Sequence, residues 1–168
     1  ARICFYGDHQ DYLGLPVIAG TIDRFIQLKA SRIPEKKFHI KLLDLNDEVV
    51  IDLKDGLQQV VQDDYFRSCM AVLKKEGFHF NEGYAIEVSG NIPVNAGLSS
   101  SSALVVAWLR FLVATQGKMD TISDYQIGRW AYEAEVLFFD QPGGLMDQYT
   151  IAQKGLLYID TQVVKVSD

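Results

Sequence analysis

Four consecutive serines, Ser99 to Ser102, follow the run Pro93-Val-Asn-Ala-Gly97-Leu98 and lead into the apolar stretch that begins at Ala103. A glycine-bearing loop that passes from a strand into a serine-led helix suits an anion. The first backbone N–H groups of a helix lack internal partners and point out of its end, where the helix dipole favours negative charge. Glycine at 97 lets the loop backbone approach a ligand closely. Serine hydroxyls add donors for phosphate oxygens, and one can ligate Mg²⁺, a hard cation that prefers oxygen. Serines at a helix start also serve as plain caps, but one serine suffices for that. No GxxxxGK[ST] run occurs in the sequence, so a phosphate site here is not of the Walker type.

Two further groups of residues could do chemistry. In Arg2-Ile-Cys-Phe-Tyr-Gly7-Asp8-His9-Gln10-Asp11-Tyr12-Leu-Gly14, two carboxylates and an imidazole lie just after a strand-like run. Carboxylates accept hydrogen bonds from hydroxyls, so the cluster suits a polyol or sugar. Taken alone it reads as a solvated turn. In Pro142-Gly143-Gly144-Leu145-Met146-Asp147-Gln148, a flexible turn presents Asp147 at the start of the next element. Beside a phosphoryl donor such a carboxylate orients or deprotonates a hydroxyl nucleophile. An aspartate in that place is otherwise an N-cap. Glu135, on the preceding helical stretch, reads by itself as a solvent-facing residue.

The elements that must position these residues follow from periodicity. Arg2 to Tyr6 reads as a strand, and Val17 to Ala30 as a long strand or strand pair interrupted near Gly20. Phe38 to Leu42 alternates apolar and polar, Asn46-Asp47 offers a turn, and Glu48 to Leu53 returns as a hairpin partner. Residues 57 to 76 have helical spacing, with apolar positions at Leu57, Val60, Val61, Cys69, Val72 and Leu73 and Gly77 as the stop. Tyr84 to Ser89 alternates as a strand. The apolar helix after the serines ends near Gly117. Ser123 with Gln126 forms a capping box before a helix whose stripe is Ile127, Trp130, Ala131, Ala134 and Phe138, broken by Pro142-Gly143-Gly144. Gly155 to Asp160 and Val163 to Val166 read as closing strands. Hairpins mixed with helices give an α+β class, with no repeat and no interdomain linker.

Composition bounds the partners. The 168 residues suffice for one packed domain. Sixteen Lys and Arg against 22 Asp and Glu leave a net charge of −6, which lacks the electrostatic footprint of a nucleic-acid binder. Cys4 and Cys69 are far apart in sequence and form no metal-ligand pattern, so two thiols in a reducing compartment are expected. There is no signal-peptide pattern. The longest apolar run, Ala103 to Leu109, is shorter than the roughly 20 residues of a membrane span. A cytoplasmic protein without membrane or nucleic-acid partners is expected. The chain starts at Ala1 directly in a strand pattern, as a piece of a longer polypeptide would.

The order of the three segments resembles the N-terminal half of the GHMP kinases, named for galactokinase, homoserine kinase, mevalonate kinase and phosphomevalonate kinase. Pro93-x-x-x-Gly97-Leu98-Ser-Ser-Ser resembles the phosphate-binding motif of that family. Arg2 to Tyr12 is similar to the galactokinase signature, and Gly144-Leu145-Met146-Asp147-Gln148 to the segment bearing its catalytic aspartate. The resemblance runs from Arg2 to about Asp160 and favours the sugar 1-kinase branch. It implies a mixed β-sheet packed on helices, a fold also seen in a ribosomal small-subunit protein. It implies that residues 1–168 form the ATP-binding N-terminal domain, and that a C-terminal domain of the same polypeptide is absent, so that the piece alone is inactive.

The resemblance also implies roles. Asp147 would receive the proton of the anomeric hydroxyl of galactose or a related sugar. Arg2 would stabilise the transferring phosphoryl group. Gly97, Leu98, Ser99, Ser100, Ser101 and Ser102 would wrap the ATP phosphates. Ser101 and Glu135 would hold Mg²⁺, and Asp8, His9 and Asp11 would grip sugar hydroxyls. Asp8 stands where galactokinases usually carry Glu, a carbon–carbon bond of about 1.5 Å longer, and Gln10 where they carry Thr. Two alternatives stand beside the sugar kinase: a galactokinase-like sensor of sugar and ATP that does not turn over, and a kinase of a non-sugar alcohol such as mevalonate.

Overall fold

Period-two patterning puts eight strands and helical patterning four α-helices among the described residues of the computed structural model, which are 1–54, 60–93, 96–162 and 165–167. One sheet is antiparallel and contains β1 (Arg2–Tyr6), β2 (Val17–Thr21), β7 (Leu156–Asp160) and β8 (Lys165–Ser167), in the order β1-β2-β7-β8. The other contains β3 (Ile26–Ile33), β4 (Lys37–Leu42), β5 (Asp47–Asp52) and β6 (Gly83–Gly90), in the order β3-β6-β4-β5. It is the mixed sheet, because β4 runs parallel to β6 while β3 and β5 pair antiparallel. Helices α1 (Tyr65–Lys75), α2 (Ser100–Thr115), α3 (Asp124–Glu135) and α4 (Met146–Gln153) pack on one another, with α2 against β3 and α4 against β2.

Several boundaries differ from the sequence expectation, each for a local reason. The break between β2 and β3 falls at residues 22–25, where the chain passes from one sheet to the other. Gly20 lies inside β2, where a Cβ would come 3.0 Å from the Phe5 ring. Helix α1 begins at Tyr65, eight residues later than the apolar spacing suggests. Asp63 takes a left-handed φ of 64°, and the Asp64 side chain caps by accepting from the Arg67 N–H at 3.0 Å. Val61 is left exposed, and Leu57 lies outside the described residues. The Ser123 cap of α3 forms as expected, accepting from the Gln126 N–H at 3.1 Å. The helix stops at Glu135, though, and Phe138 sits in a 3₁₀ turn, Leu137–Phe139, ahead of the Pro-Gly-Gly segment. Val163 and Val164 lie outside the described residues, and β8 is described from Lys165.

Two apolar clusters hold the layers together. The larger centres on Trp108 of α2, which is fully buried. Its ring meets Phe66 and Phe38 edge-on at 5.1 and 5.5 Å and stacks on Phe111 at 5.1 Å, while its indole N–H donates to the Phe66 carbonyl at 3.0 Å. Such a side chain satisfies its one polar atom and contributes a large buried area. The smaller cluster joins Val17 and Ala19 of β2 and Leu157 and Ile159 of β7 to Leu145, Met146 and Tyr149 beneath α4. It fixes α4 against the antiparallel sheet. Cys69 is buried and Cys4 half-buried, and both thiols are free. No helix among the described residues is long and apolar enough to cross a membrane. Trp108→Ala is expected to destabilise the fold by about 3–5 kcal/mol, read by urea denaturation. A loss below about 1 kcal/mol would mean that Trp108 is not the centre of this core.

Candidate active site

The start of β1, the loop before α2 and the start of α4 meet at one point. The Arg2 guanidinium donates from Nε to Asp147 Oδ1 at 2.6 Å and from Nη2 to Oδ2 at 2.8 Å. Its third arm, Nη1, donates to the Gly97 carbonyl at 2.9 Å. A fork of this kind fixes both oxygens of a carboxylate in one plane. The Ser99 hydroxyl also donates to Asp147 Oδ2. The backbone N–H of Arg2 makes a long contact with the Leu98 carbonyl, 3.5 Å. Gly97 has φ of 66°, the left-handed region that favours glycine.

The serines divide their work. Ser99 occupies the N-cap position of α2 at φ 55° and ψ 57°, yet its side chain makes no capping bond; its hydroxyl is turned to Asp147 instead. That conformation costs a non-glycine residue about 1–2 kcal/mol. The first bond of the helix runs from the Ala103 N–H to the Ser99 carbonyl at 3.0 Å. The N–H groups of Ser100, Ser101 and Ser102 therefore have no partner within the helix. Plain capping by Ser99, the alternative left open by the sequence, does not occur.

An open cleft of about 240 Å³ lies on one side of this point. It is lined by Arg2, Asp8, His9, Asp11, Ser101, Ser102, Glu135 and Asp147, together with Tyr12, Gln141, Gly143, Gly144 and Gln148. Asp147 is not the cap of α4, because Leu145 holds the N-cap position. Asp11 takes that part instead, its Oδ2 accepting from the Met146 N–H at 3.0 Å. Asp11 thus has one oxygen committed to positioning α4. His9 is strongly exposed at φ 58°, with its Nε2 3.9 Å from Asp8 Oδ2.

Glu135 is buried, at 6% exposure, rather than solvent-facing. The helical stripe of α3 does not reveal this, because the cover comes from α2 and α4. Gln148 Nε2 donates to Glu135 Oε2 at 2.8 Å and reaches Ser102 Oγ at 3.4 Å. Burial pushes the Glu135 carboxyl above its usual range. Hydrogen bonds from Gln148, Ser101 and Ser102 oppose that shift, and the Asp147 charge adds to it. No Lys or Arg pairs with Glu135 among the described residues. A buried carboxylate held by neutral donors, with the Ser101 hydroxyl next to it, fits a hard cation that takes one or two protein oxygens and completes its shell with phosphate and water. No cluster of three or more His, Cys, Asp or Glu suited to a metal occurs among the described residues.

A second, mainly apolar groove of about 310 Å³ opens on the other side of the α2 tip. Ile26, Leu42, Tyr65, Val88, Ile92 and Leu104 line it, and Ser100 and Ser101 form its edge. No spacing in the sequence points to this groove, because its walls come from five separate segments. Gln148 also escaped the sequence reading. Its part in the site follows only from its burial against Glu135.

The family described as "GHMP kinases N terminal domain" matches residues 64–155, and the chain belongs to that family. It is 29% identical over 167 residues to a galactokinase of Thermotoga petrophila, covering 98% of this chain and 46% of that one. It is 26% identical over 155 residues to a mevalonate kinase of Pyrococcus furiosus, covering 86% of this chain and 46% of that one. The crystal structure of Lactococcus lactis galactokinase complexed with galactose superimposes with a TM-score of 0.83 at 20% identity, over 99% of this chain and 44% of that one. At that identity the likeness is one of fold. The chain spans about half the length of the curated relatives it matches.

Gly144 makes the contact between Asp11 and α4 possible. A Cβ on it would lie 1.7 Å from Asp11 Oδ2. Gly144→Ala is expected to expel the Asp11 carboxylate and strand the Met146 N–H, lowering stability by about 1–3 kcal/mol in a denaturant titration. Unchanged stability would show that Asp11 does not hold the start of α4.

Proposed function

We propose that this chain is the ATP-binding half of a sugar kinase that transfers the γ-phosphoryl group of ATP to a hydroxyl of a neutral monosaccharide, most simply the anomeric hydroxyl of galactose or a relative. The observation that carries the reading is the Arg2–Asp147 fork set beside the open N-terminus of α2. The N–H groups of Ser100, Ser101 and Ser102 receive the triphosphate oxygens, and the Gly97–Ser102 backbone wraps them. The apolar groove at the edge of the same serines suits the flat base of the nucleotide. Ser101 and Glu135 hold Mg²⁺, which when bound offsets the charge of the phosphates.

The acceptor lies in the cleft. Its hydroxyl donates to Asp147, its oxygen forms the new bond to Pγ, the bond from Pγ to the bridging oxygen breaks, and ADP leaves. The proton passes to Asp147 and then to solvent. Positioning and charge neutralisation supply most of such catalysis. Asp8, His9 and the free oxygen of Asp11 face the remaining hydroxyls.

The charge of the cleft supports a neutral acceptor. Four carboxylates line it, and among the described lining residues Arg2 is the sole Lys or Arg, already committed to Asp147. A carboxylate-bearing alcohol such as mevalonate would meet repulsion there. The galactokinase relatives support the sugar reading, and the mevalonate kinase relative sets the competing one.

The test is a panel of neutral sugars and mevalonate offered with ATP and Mg²⁺ to the complete protein, scored for ADP release. A neutral sugar is expected to be turned over. Turnover of mevalonate alone, or sugar binding with no ADP release, would replace this reading with the non-sugar kinase or the sensor. Asp147→Asn and Arg2→Ala are each expected to lower kcat by about 100-fold or more. Wild-type rates would remove the residue concerned from the mechanism.

A further inference from the structure

We infer that Ser99 is a positioning residue for Asp147, its hydroxyl diverted from capping α2 to hold the carboxylate in place. The proposal rests on the phosphoryl-transfer reading of the site. It assigns Ser99 a task distinct from the phosphate contacts of its neighbours. The residue sits where a serine would ordinarily bond the N–H two or three positions on. It instead adopts a left-handed backbone and makes no such bond. Its hydroxyl donates to Asp147 Oδ2, the oxygen that also receives Nη2 of Arg2.

Two consequences follow from this one diversion. The carboxylate is held from two directions, by the Arg2 fork from β1 and by Ser99 from the α2 loop. Its plane is therefore fixed, and of its two oxygens Oδ1 keeps a lone pair for an incoming hydroxyl. The tip of α2 also keeps its first N–H groups without a Ser99 cap, open to an anion, because the left-handed backbone at Ser99 goes with a side chain turned to Asp147 rather than to them. Asp147 and the phosphate cradle are thus adjusted by one side chain. An error in either would displace the other.

The experiment compares Ser99→Gly and Ser99→Ala in the complete protein with the acceptor that the wild type turns over. Glycine removes the hydroxyl and accepts the positive φ, while alanine removes the hydroxyl and keeps the β-carbon. Both are expected to lower kcat by about 10- to 100-fold, the rate equivalent of one charge-assisted hydrogen bond. ADP affinity and acceptor KM are expected to stay within about threefold, because a misaligned carboxylate harms the transition state more than the ground state. Thermal stability of the glycine variant is expected to be unchanged or higher.

Wild-type kcat in both variants would overturn the proposal and leave the kinase reading intact. Loss confined to KM or to ADP affinity would overturn it too, and would make Ser99 a ligand contact. A wild-type protein that turns over no acceptor would remove the kinase reading, and the proposal with it.

Discussion

The paired guanidinium and carboxylate of Arg2 and Asp147 are the constraint around which the rest is arranged. The two residues are 145 positions apart, and the third arm of Arg2 reaches Gly97, 95 positions away. One side chain thus ties the first strand, the loop before α2 and the first turn of α4. The pair is partly sheltered, with side-chain exposures of 13% and 26%. Its geometry is bidentate, the arrangement in which an ion pair adds direction as well as attraction. Removing one partner would leave the other partly desolvated and unpaired, which is where such pairs are costly to break.

The fold exists to bring these three segments to one place. The smaller apolar cluster seats α4 on β2 and β7, so that Asp147 stands beside the neighbouring β1. The larger cluster anchors α2 through Trp108, which puts its serine-led tip at the same point. Asp11 then fastens the loop after β1 to the N–H of Met146. The acidic side of the α2 tip and its apolar side share Ser101. One helix end therefore borders both the acidic cleft and the apolar groove.

Much of the fold was legible because its signals are local. The alternation in β4 and β5, the turn at Asn46 with its φ of 49°, and the Ser123 cap each depend on a few neighbouring residues. The start of α1 was not legible, since Val60 and Val61 continue the helical period until the backbone at Asp63 interrupts it. Gly20 looked like a break, but it is the small residue on which Phe5 packs. The arrangement of the site was the least legible part. No spacing joins residue 2 to residue 147, so their association came from resemblance to a family rather than from periodicity. The burial of Glu135 and its bond to Gln148 depend on three helices meeting, which no single stretch of sequence records. The engagement of Ser99 with Asp147 was hidden for the same reason.

The central claim is that the tip of α2 is the seat of a triphosphate facing Asp147. A crystal structure of the complete protein with a non-hydrolysable ATP analogue and Mg²⁺ tests it most directly. The account predicts phosphate oxygens within hydrogen-bond distance of the Ser100–Ser102 N–H groups, the base in the groove beside Tyr65, and the terminal phosphate turned toward Asp147. A triphosphate bound away from the α2 tip, or a base lodged among Asp8, Asp11 and Asp147, would contradict it.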